Sequence, residues 1–251
     1  GETHEVELTY AGQEISVTET STSFYNERQK AEISLEKTLE TNDIFGIGKG
    51  DEIKNISFGF YAAEDITAVN GAVIPADSLI EIVTLDENGK AVIKTDIPMG
   101  SYYVKEIAAD EHYILNDTKY PVVFEYAGQD TAKVEISVND GKKIENKLIY
   151  GSVSGKKVDE NGKALGGAVI GIFASDDMEF TEENALMTVT SAEDGSFTFA
   201  DIPYGEYVVR EIAAPEGYVL DETPYTVKVD QNGTVVEIEI TNKLIRGIVQ
   251  L

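Results

Sequence analysis

The chain has 251 residues, enough for one or two domains, and its composition excludes several classes of function. The 46 acidic and 20 basic residues give a net charge of −26, which excludes nucleic-acid binding and disfavours contact with an anionic membrane surface. Cysteine is absent and there are only two histidines, so we expect no disulfide, no thiolate metal site and no cofactor.

Residues 1–30 are predicted to be the last strands of a preceding, truncated repeat. The segment 10–14 (YAGQE) matches 126–130 (YAGQD), and Asn26 falls where Asn146 falls in the later repeat. We therefore expect the chain to be a piece of a longer array, in which Asn26 has no lysine or glutamate partner. No apolar run approaches the roughly 20 residues that span a bilayer, so no membrane insertion is expected for this piece.

Two homologous units follow in tandem, here called unit one (residues 31–149) and unit two (residues 150–245). The segment 96–109 (DIPMGSYYVKEIAA) recurs as 201–214 (DIPYGEYVVREIAA), and the match continues without a gap beyond both segments. Such internal repetition is typical of arrays of equivalent folded domains. Each unit is therefore predicted to be one domain, and residues 246–251 are predicted to begin a following repeat.

Within each unit, apolar and polar residues alternate with the period of a β-strand that has one buried face. Examples are ISLEKTL at 33–39 and VVEIEITNKL at 235–244. Asn-Gly and Asp-Gly pairs between such segments predict tight turns. These pairs lie at 88–89, 161–162, 194–195 and 232–233. About seven antiparallel strands per unit predict an all-β chain of tandem immunoglobulin-like β-sandwiches.

Each unit places a lysine, a glutamate and an asparagine on the predicted buried face of a strand. These residues are Lys37, Glu106 and Asn146 in unit one, and Lys157, Glu211 and Asn242 in unit two. Burying any of these side chains is costly unless it is paired. One interpretation is an internal ion pair with a hydrogen-bonded asparagine, or side chains that reach solvent at sheet edges. The recurrence of all three residues in both units favours another interpretation, in which they react with one another.

The reaction follows from the chemistry of buried side chains. Burial favours neutral forms, so it lowers the pKa of lysine and raises the pKa of glutamate. A neutral lysine amine is a nucleophile, and a protonated glutamate can donate a hydrogen bond to the asparagine oxygen and later a proton to the leaving amine. Attack on the asparagine side-chain carbon would release ammonia and leave an isopeptide bond. Contact between the groups contributes roughly 7–11 kcal/mol to such a reaction. The reaction has a single turnover, so the chain is not expected to be an enzyme in the usual sense.

The sequence YVVREIAAPEGY at 207–218 resembles the glutamate-containing E-box of CnaB domains, which are SpaA-type, prealbumin-like modules of Gram-positive surface proteins and pilins. Lys157 before Val-Asp and Asn242 before Lys-Leu-Ile stand where that family has its isopeptide lysine and asparagine. The resemblance covers both units and implies that Lys157, Glu211 and Asn242 are nucleophile, catalytic acid/base and amide acceptor. The equivalent residues of unit one would have the same roles.

The resemblance also implies an extracellular, cell-wall-attached protein in which the repeats form a stalk or a pilin-like shaft. The expected partners are neighbouring repeats of the same chain, and the chain is expected to be monomeric. The alternative is an adhesive module that binds a host matrix protein or a glycan through the loops 41–54 or 176–186. An enzyme with paired carboxylates is a third, less favoured interpretation, because the repeated glutamates lie on inward positions beside Lys and Asn.

Three local features qualify these predictions. Unit one carries an insertion at 41–54, and its sequence DEHY at 110–113 replaces the Pro-x-Gly-Tyr of unit two, so the turn there is expected to differ. The acidic residues around 176–184 lack the spacing of an EF-hand and are interpreted as solvated loop charge. The repeated tyrosines are interpreted as core residues rather than as a sugar-binding platform.

Overall fold

The computed structural model describes residues 28–68 and 71–247, which form almost entirely β structure. The predicted strands of a preceding repeat (1–30) lie outside the described residues except for the last three, and Asn26 also lies outside them. Of the predicted start of a following repeat (246–251), Arg246 and Gly247 are described, and neither belongs to a strand.

In the described part of unit one there are ten strands, several of them very short. Strands β1 to β10 are Lys30–Leu39, Ser57–Ala62, Ile66–Thr67, Val73–Ile74, Leu79–Thr84, Lys90–Ile93, Gly100–Ala108, Tyr120–Phe124, Lys133–Ser137 and Ile144–Asn146. Two short 3₁₀ turns, Glu52–Asn55 and Val138–Gly141, complete the regular structure of this unit.

Unit two contains eight strands. Strands β11 to β18 are Tyr150–Asp159, Val169–Ala174, Met187–Thr190, Ser196–Pro203, Gly205–Ala213, Tyr218–Val219, Tyr225–Val229 and Val235–Leu244. Both units have more strands than the predicted number of about seven. The additional strands are short, as in the two-residue pairings β3–β4 and β16–β18, and their sequences show no clear alternation of apolar and polar residues.

Each unit has two four-stranded sheets that enclose one hydrophobic core, and unit one has the small β3–β4 sheet in addition. In unit one, the sheet β5-β2-β7-β8 faces the sheet in which β1 pairs with β6, β9 and β10; in unit two, β13-β12-β15-β17 faces β14-β11-β18-β16. The cores combine side chains of both sheets, such as Ile33 with Phe58 in unit one and Val153 with Ile172 in unit two. Successive side chains of a strand point to opposite faces, so the alternating sequence supplies one apolar face to each core. The prediction of β-sandwiches is confirmed.

The first and last strands of each unit run parallel, side by side. Strand β11 pairs with β18 from Ser152↔Val235 to Asp159↔Asn242, and β1 pairs in the same sense with β9 and β10. The prediction that all strands are antiparallel is wrong for this pair, because strands so far apart in the sequence need no hairpin connection. The parallel arrangement brings the ends of the two strands, and the residues near them, to the same edge of the sandwich.

In unit one the last strand is interrupted by four extra residues. Its pairing with β1 shifts from Ser34↔Ser137 (137 − 34 = 103) to Lys37↔Ile144 (144 − 37 = 107). The extra residues form the 3₁₀ turn Val138–Gly141, in which three residues have positive φ: an asparagine, an aspartate and the final glycine. Asparagine and aspartate tolerate this left-handed conformation better than most residues. The chain then returns to β1 in a register equivalent to that of unit two.

The 41–54 insertion lies at the junction of the two units. Asn42 and Ile47 exchange backbone hydrogen bonds of 3.0 Å, which closes a small loop. At the tip of this loop, the Phe45 ring packs edge-on against Tyr207 of unit two, with 5.3 Å between ring centroids. Ile47 is buried beside Leu148, next to the short connection between β10 and β11. The insertion therefore links unit one to the core of unit two.

The turn after the glutamate-bearing strand keeps the same hydrogen bond in both units, contrary to expectation. The Tyr113 N–H donates to the Asp110 carbonyl at 3.0 Å, as the Tyr218 N–H donates to the Pro215 carbonyl at 3.1 Å. Asp110 is buried, and its carboxylate accepts hydrogen bonds from the Asn55 amide and a neighbouring imidazole. These bonds satisfy the aspartate that stands in place of proline.

Candidate functional site

The six predicted site residues all point into the cores. On β1, the positions of Ile33 and Leu35 are buried, and Lys37 continues the same face; on β11, Lys157 shares the face of Val153. The exposed fraction of each of the six residues is 3% or less. Charged and amide groups removed from water in this way must find partners within the protein.

In unit one, the structure brings the lysine, glutamate and asparagine into mutual contact. Lys37 Nζ lies 2.6 Å from Asn146 Oδ1 and donates a second hydrogen bond to the Ile144 carbonyl at 3.2 Å. Asn146 Nδ2 donates to Glu106 Oε1 at 2.7 Å, and the other carboxylate oxygen lies 3.4 Å from Lys37 Nζ. The contacts place the amine, the carboxamide and the carboxylate in one closed cluster.

In unit two, the corresponding residues form nearly the same cluster. Lys157 Nζ lies 3.5 Å from Glu211 Oε1 and donates to the Ile240 carbonyl at 3.1 Å. Asn242 Nδ2 donates to Glu211 Oε2 at 2.6 Å and to the Val219 carbonyl at 2.6 Å. One difference is that Asn242 Oδ1 is buried without a hydrogen-bond partner, whereas the equivalent oxygen in unit one contacts the lysine.

In both units the two carboxylate oxygens divide their contacts between the two nitrogens. One oxygen of Glu106 or Glu211 faces the lysine Nζ, and the other accepts a hydrogen bond from the asparagine Nδ2. The expected hydrogen bond, from a protonated glutamate to the asparagine oxygen, is not the one present, because the amide nitrogen donates to the carboxylate. The glutamate thus contacts the nitrogen that would leave, which is the position required of its proton donor.

Burial changes the acid–base properties of both lysines. It lowers the pKa of Lys37 and Lys157 below the ordinary value of 10.5, while the adjacent glutamate charge acts in the opposite direction. The physical cause is the loss of hydration of the ammonium group in the core. A larger fraction of each amine is therefore neutral, and nucleophilic, at a given pH than in an exposed lysine.

The family model of the SpaA prealbumin-like fold domain matches residues 45–142 and 151–244, together more than half of the chain. The chain belongs to this family. One match falls within unit one and the other within unit two. The resemblance inferred from the E-box is confirmed.

The chain is similar in sequence to a streptococcal surface protein and in fold to solved bacterial structures. The trypsin-resistant surface T6 protein of Streptococcus pyogenes serotype M6 is 34% identical over 112 residues, which cover 45% of this chain and 19% of that protein. The TIE protein of Bacillus anthracis has a TM-score of 0.60 at 21% identity, over 86% of this chain and 34% of that one. A C-terminal fragment of the pilus adhesin SpaC from Lactobacillus rhamnosus GG has a TM-score of 0.54 at 14% identity, over 89% of this chain and all of the fragment. These structural likenesses show the fold, and the chain spans a minor part of the streptococcal protein.

Two backbone donors also contact the glutamates of the two candidate clusters, and the sequence did not predict them. The Asn116 N–H donates to Glu106 Oε1 at 3.1 Å, and the Asp221 N–H donates to Glu211 Oε2 at 2.7 Å. Each donor lies 10 residues after its glutamate. The sequence signal is a repeated spacing, in which a threonine follows each donor residue by two positions and a tyrosine by four. Its role becomes visible only when the loop is folded over the carboxylate.

Two glycines of the predicted turns also pack against the lysine strands. Gly89 and Gly195 have φ values of +73° and +76°, and their carbonyls accept the N–H groups of Lys37 and Lys157, each at 2.7 Å. A Cβ atom at either glycine would overlap the carbonyl oxygen of the lysine that it faces. These positions therefore need glycine both for the turn and for the close approach to the lysine backbone.

The acidic residues around 176–184, which the sequence suggested were loop charge, lie outside the strands. The acidic segment forms turns at 175–176 and 182–184. Within residues 28–68 and 71–247, no group of three or more His, Asp or Glu side chains is arranged to hold a metal ion. In the same described residues, no helix has the length and apolar character needed to cross a membrane.

Proposed function

We propose that each unit joins its own first and last strands by a lysine–asparagine isopeptide bond. The bonds are Lys37–Asn146, with Glu106 as acid/base, and Lys157–Asn242, with Glu211 as acid/base. The array would then be a cross-linked stalk, or pilin-like shaft, of a bacterial surface protein. The observation that carries the proposal is the repeated cluster in which one buried carboxylate touches both the amine and the amide nitrogen.

The reaction balances with the groups present in each cluster. In unit two, Glu211 Oε1 takes a proton from the Lys157 ammonium, and the neutral amine forms a bond to the side-chain carbon of Asn242. The carboxyl group then gives a proton to Nδ2 and takes one from the attacking nitrogen. The bond from carbon to Nδ2 breaks, so the products are one secondary amide and one ammonia molecule. In the structure Glu211 contacts both nitrogens, at 3.5 Å and 2.6 Å, which favours this proton transfer.

The position of the bond supports a mechanical role. Tension applied to the chain enters unit two at β11 and leaves it after β18, and these strands lie parallel and adjacent. Lys157 and Asn242 are near the exit end of both strands, so the bond would transmit force directly from one to the other. The 84 residues between them (158–241) would carry no load. In unit one, 108 residues (38–145) lie between the corresponding pair.

The setting of the protein is part of the proposal. We propose an extracellular, cell-wall-attached location, with domain boundaries at 30/31, 149/150 and 245/246 and with neighbouring repeats as the partners of each unit. Support comes from membership of the SpaA prealbumin-like family and from the streptococcal relative, which is named a trypsin-resistant surface protein. The proposed covalent bond needs no cysteine, and the chain has none. Because each unit would react once with itself, the proposal assigns the chain no enzyme activity.

The adhesive alternative depends on exposed groups in the loops 41–54 and 176–186. In the structure, Phe45 packs against Tyr207, and Phe180 packs against Phe173 with 5.1 Å between ring centroids. The aromatic side chains of both loops are therefore engaged in contacts within the chain, which favours the stalk over an adhesive surface built on these loops.

Tandem mass spectrometry of a tryptic digest tests the proposed bonds. We expect the peptide that contains Lys157 to be joined to the peptide that contains Asn242, with trypsin unable to cleave after the acylated lysine. Glu211→Ala is expected to leave unit two folded but unjoined, while the bond of unit one persists as an internal control. Separate, unmodified peptides from the wild-type protein would overturn the proposal, and a joined peptide in Glu211→Ala would overturn the role of the glutamate.

A further inference from the structure

The loop that covers each candidate site is built in the same way in the two units. Beyond its N–H donation to Glu211, the Asp221 carboxylate accepts hydrogen bonds from the Thr223 N–H at 3.1 Å and from the Tyr225 hydroxyl at 3.0 Å. In unit one, the Asn116 side chain likewise accepts a bond from the following threonine N–H at 3.2 Å and bonds the tyrosine hydroxyl at 3.0 Å. The same set of hydrogen bonds therefore forms with either aspartate or asparagine at this position of the loop.

The two loops differ in charge. Asp221 has a carboxylate where unit one has a neutral amide, and it is the residue whose N–H donates to Glu211 Oε2, as the N–H of Asn116 donates to Glu106 Oε1. The neighbouring Tyr225 hydroxyl remains a donor to this carboxylate, because burial and the aspartate raise the pKa of Tyr225 to about 12. Unit two thus holds a second negative charge beside a site whose reaction uses one shared proton.

The charges that face each lysine are few. Burial lowers the pKa of Lys157, and the charges of Glu211 on β15 and Asp221 in the covering loop act against it. Lys37 experiences the same effect of burial, opposed by Glu106 on β7 and, more weakly, by Glu145 on β10. Glu145 is half-exposed and ion-paired to a neighbouring lysine at 2.8 Å, so solvent and the lysine screen its charge.

A neighbouring negative charge favours the protonated form of every group close to it. In the proposed reaction one proton moves between the Lys157 nitrogen, the carboxylate and the leaving nitrogen, so the bond would no longer form at a pH high enough to remove that proton from the site. The negative charge of the Asp221 carboxylate would therefore keep this proton in the site up to a higher pH. An amide at that position keeps the same loop and the same N–H donor but removes this effect.

We propose that Asp221 is a positioning residue of unit two: its N–H orients Glu211, and its carboxylate extends formation of the Lys157–Asn242 bond to higher pH. Asn116 has the first role but not the second in unit one. This inference rests on the proposed function, because it concerns the rate of the proposed bond.

The test uses the full chain and the reciprocal substitutions Asp221→Asn and Asn116→Asp. Protein kept in denaturant, with an intact mass that shows no loss of ammonia, is diluted into buffers from mildly acidic to strongly alkaline. Samples are quenched over time, and the joined peptides of each unit are quantified separately by mass spectrometry. The unsubstituted unit of each variant is an internal control for refolding.

In Asp221→Asn, we expect the alkaline limit for bond formation in unit two to shift to lower pH while unit one is unchanged. In Asn116→Asp, we expect the limit of unit one to shift to higher pH while unit two is unchanged. Bonds that form with unshifted pH limits, or shifts of equal size in both units, would overturn the role of the charge but leave the proposed function standing. Loss of the bond at every pH in Asp221→Asn, with no shift in Asn116→Asp, would show a purely structural residue. Absence of both bonds from wild type at every pH would overturn the proposed function itself.

Discussion

Replacing Lys157 with methionine should make unit two extensible under tension. Methionine fills much of the volume of the lysine stem but has no amine, so the proposed bond to Asn242 cannot form. Force would then act on the backbone hydrogen bonds between the parallel strands β11 and β18. These bonds can break under load, whereas a covalent bond between the same strands persists.

The structure sets the size of the expected extension. From Lys157 to Asn242 the chain makes 242 − 157 = 85 residue-to-residue steps, which correspond to about 280–310 Å of chain at full extension. Strand β11 itself is already extended, at roughly 3.3 Å per residue, so a bonded unit has almost no further length to release. The variant should therefore differ from wild type by one large, defined step.

Single-molecule pulling on the full chain measures this step. We expect no step of that length from unit two in wild type and one such step in Lys157→Met. The matched control is Lys156→Met, which alters the adjacent, outward-facing lysine of the same strand and should behave as wild type. If wild type already releases the length of both units at modest force, the load does not pass through covalent bonds, and the stalk interpretation is wrong.

Two further substitutions test how the surrounding structure supports the site and the junction. Gly195→Ala should reduce the yield of the unit two bond in refolded protein, because the added Cβ displaces the Lys157 backbone; an unchanged yield of joined peptide would show that the close approach is unimportant. Phe45→Ala should accelerate amide hydrogen exchange at Tyr204, whose N–H is hydrogen-bonded across the junction at 2.9 Å, because it removes the packing between the units. Ile44→Ala, at an exposed position of the same loop, should leave that exchange rate unchanged, and equal acceleration in both variants would contradict the role of Phe45.

The sequence predicted the sandwich and the inward faces because both depend on a period of two. Alternation placed Lys37 on the face of Ile33 and Leu35 without reference to any partner strand, and the internal repeat showed that the same pattern occurs at Lys157. Turns could be located for a similar reason, since glycine in a pair such as Asp194-Gly195 meets a local backbone requirement. These inferences need only short segments of chain.

Features that depend on distant segments could not be predicted in this way. Alternation does not reveal strand direction, so the parallel pairing of first and last strands appears only in the fold. The extra residues around 138–141 resemble an ordinary loop until their register against β1 is known. The donor role of Asp221 depends on its backbone N–H, and the repeated spacing to the threonine and tyrosine after it does not show which group this N–H contacts.

The intact mass of the purified wild-type chain tests the central claim most directly. Each isopeptide bond releases one ammonia molecule, so the proposal predicts a measured mass below the sequence mass by two ammonia molecules. Lys37→Met and Lys157→Met should each restore one of these two losses, which assigns each loss to its unit. A wild-type mass equal to the sequence mass would contradict the account, because the buried Lys, Glu and Asn residues would then form only hydrogen bonds and ion pairs.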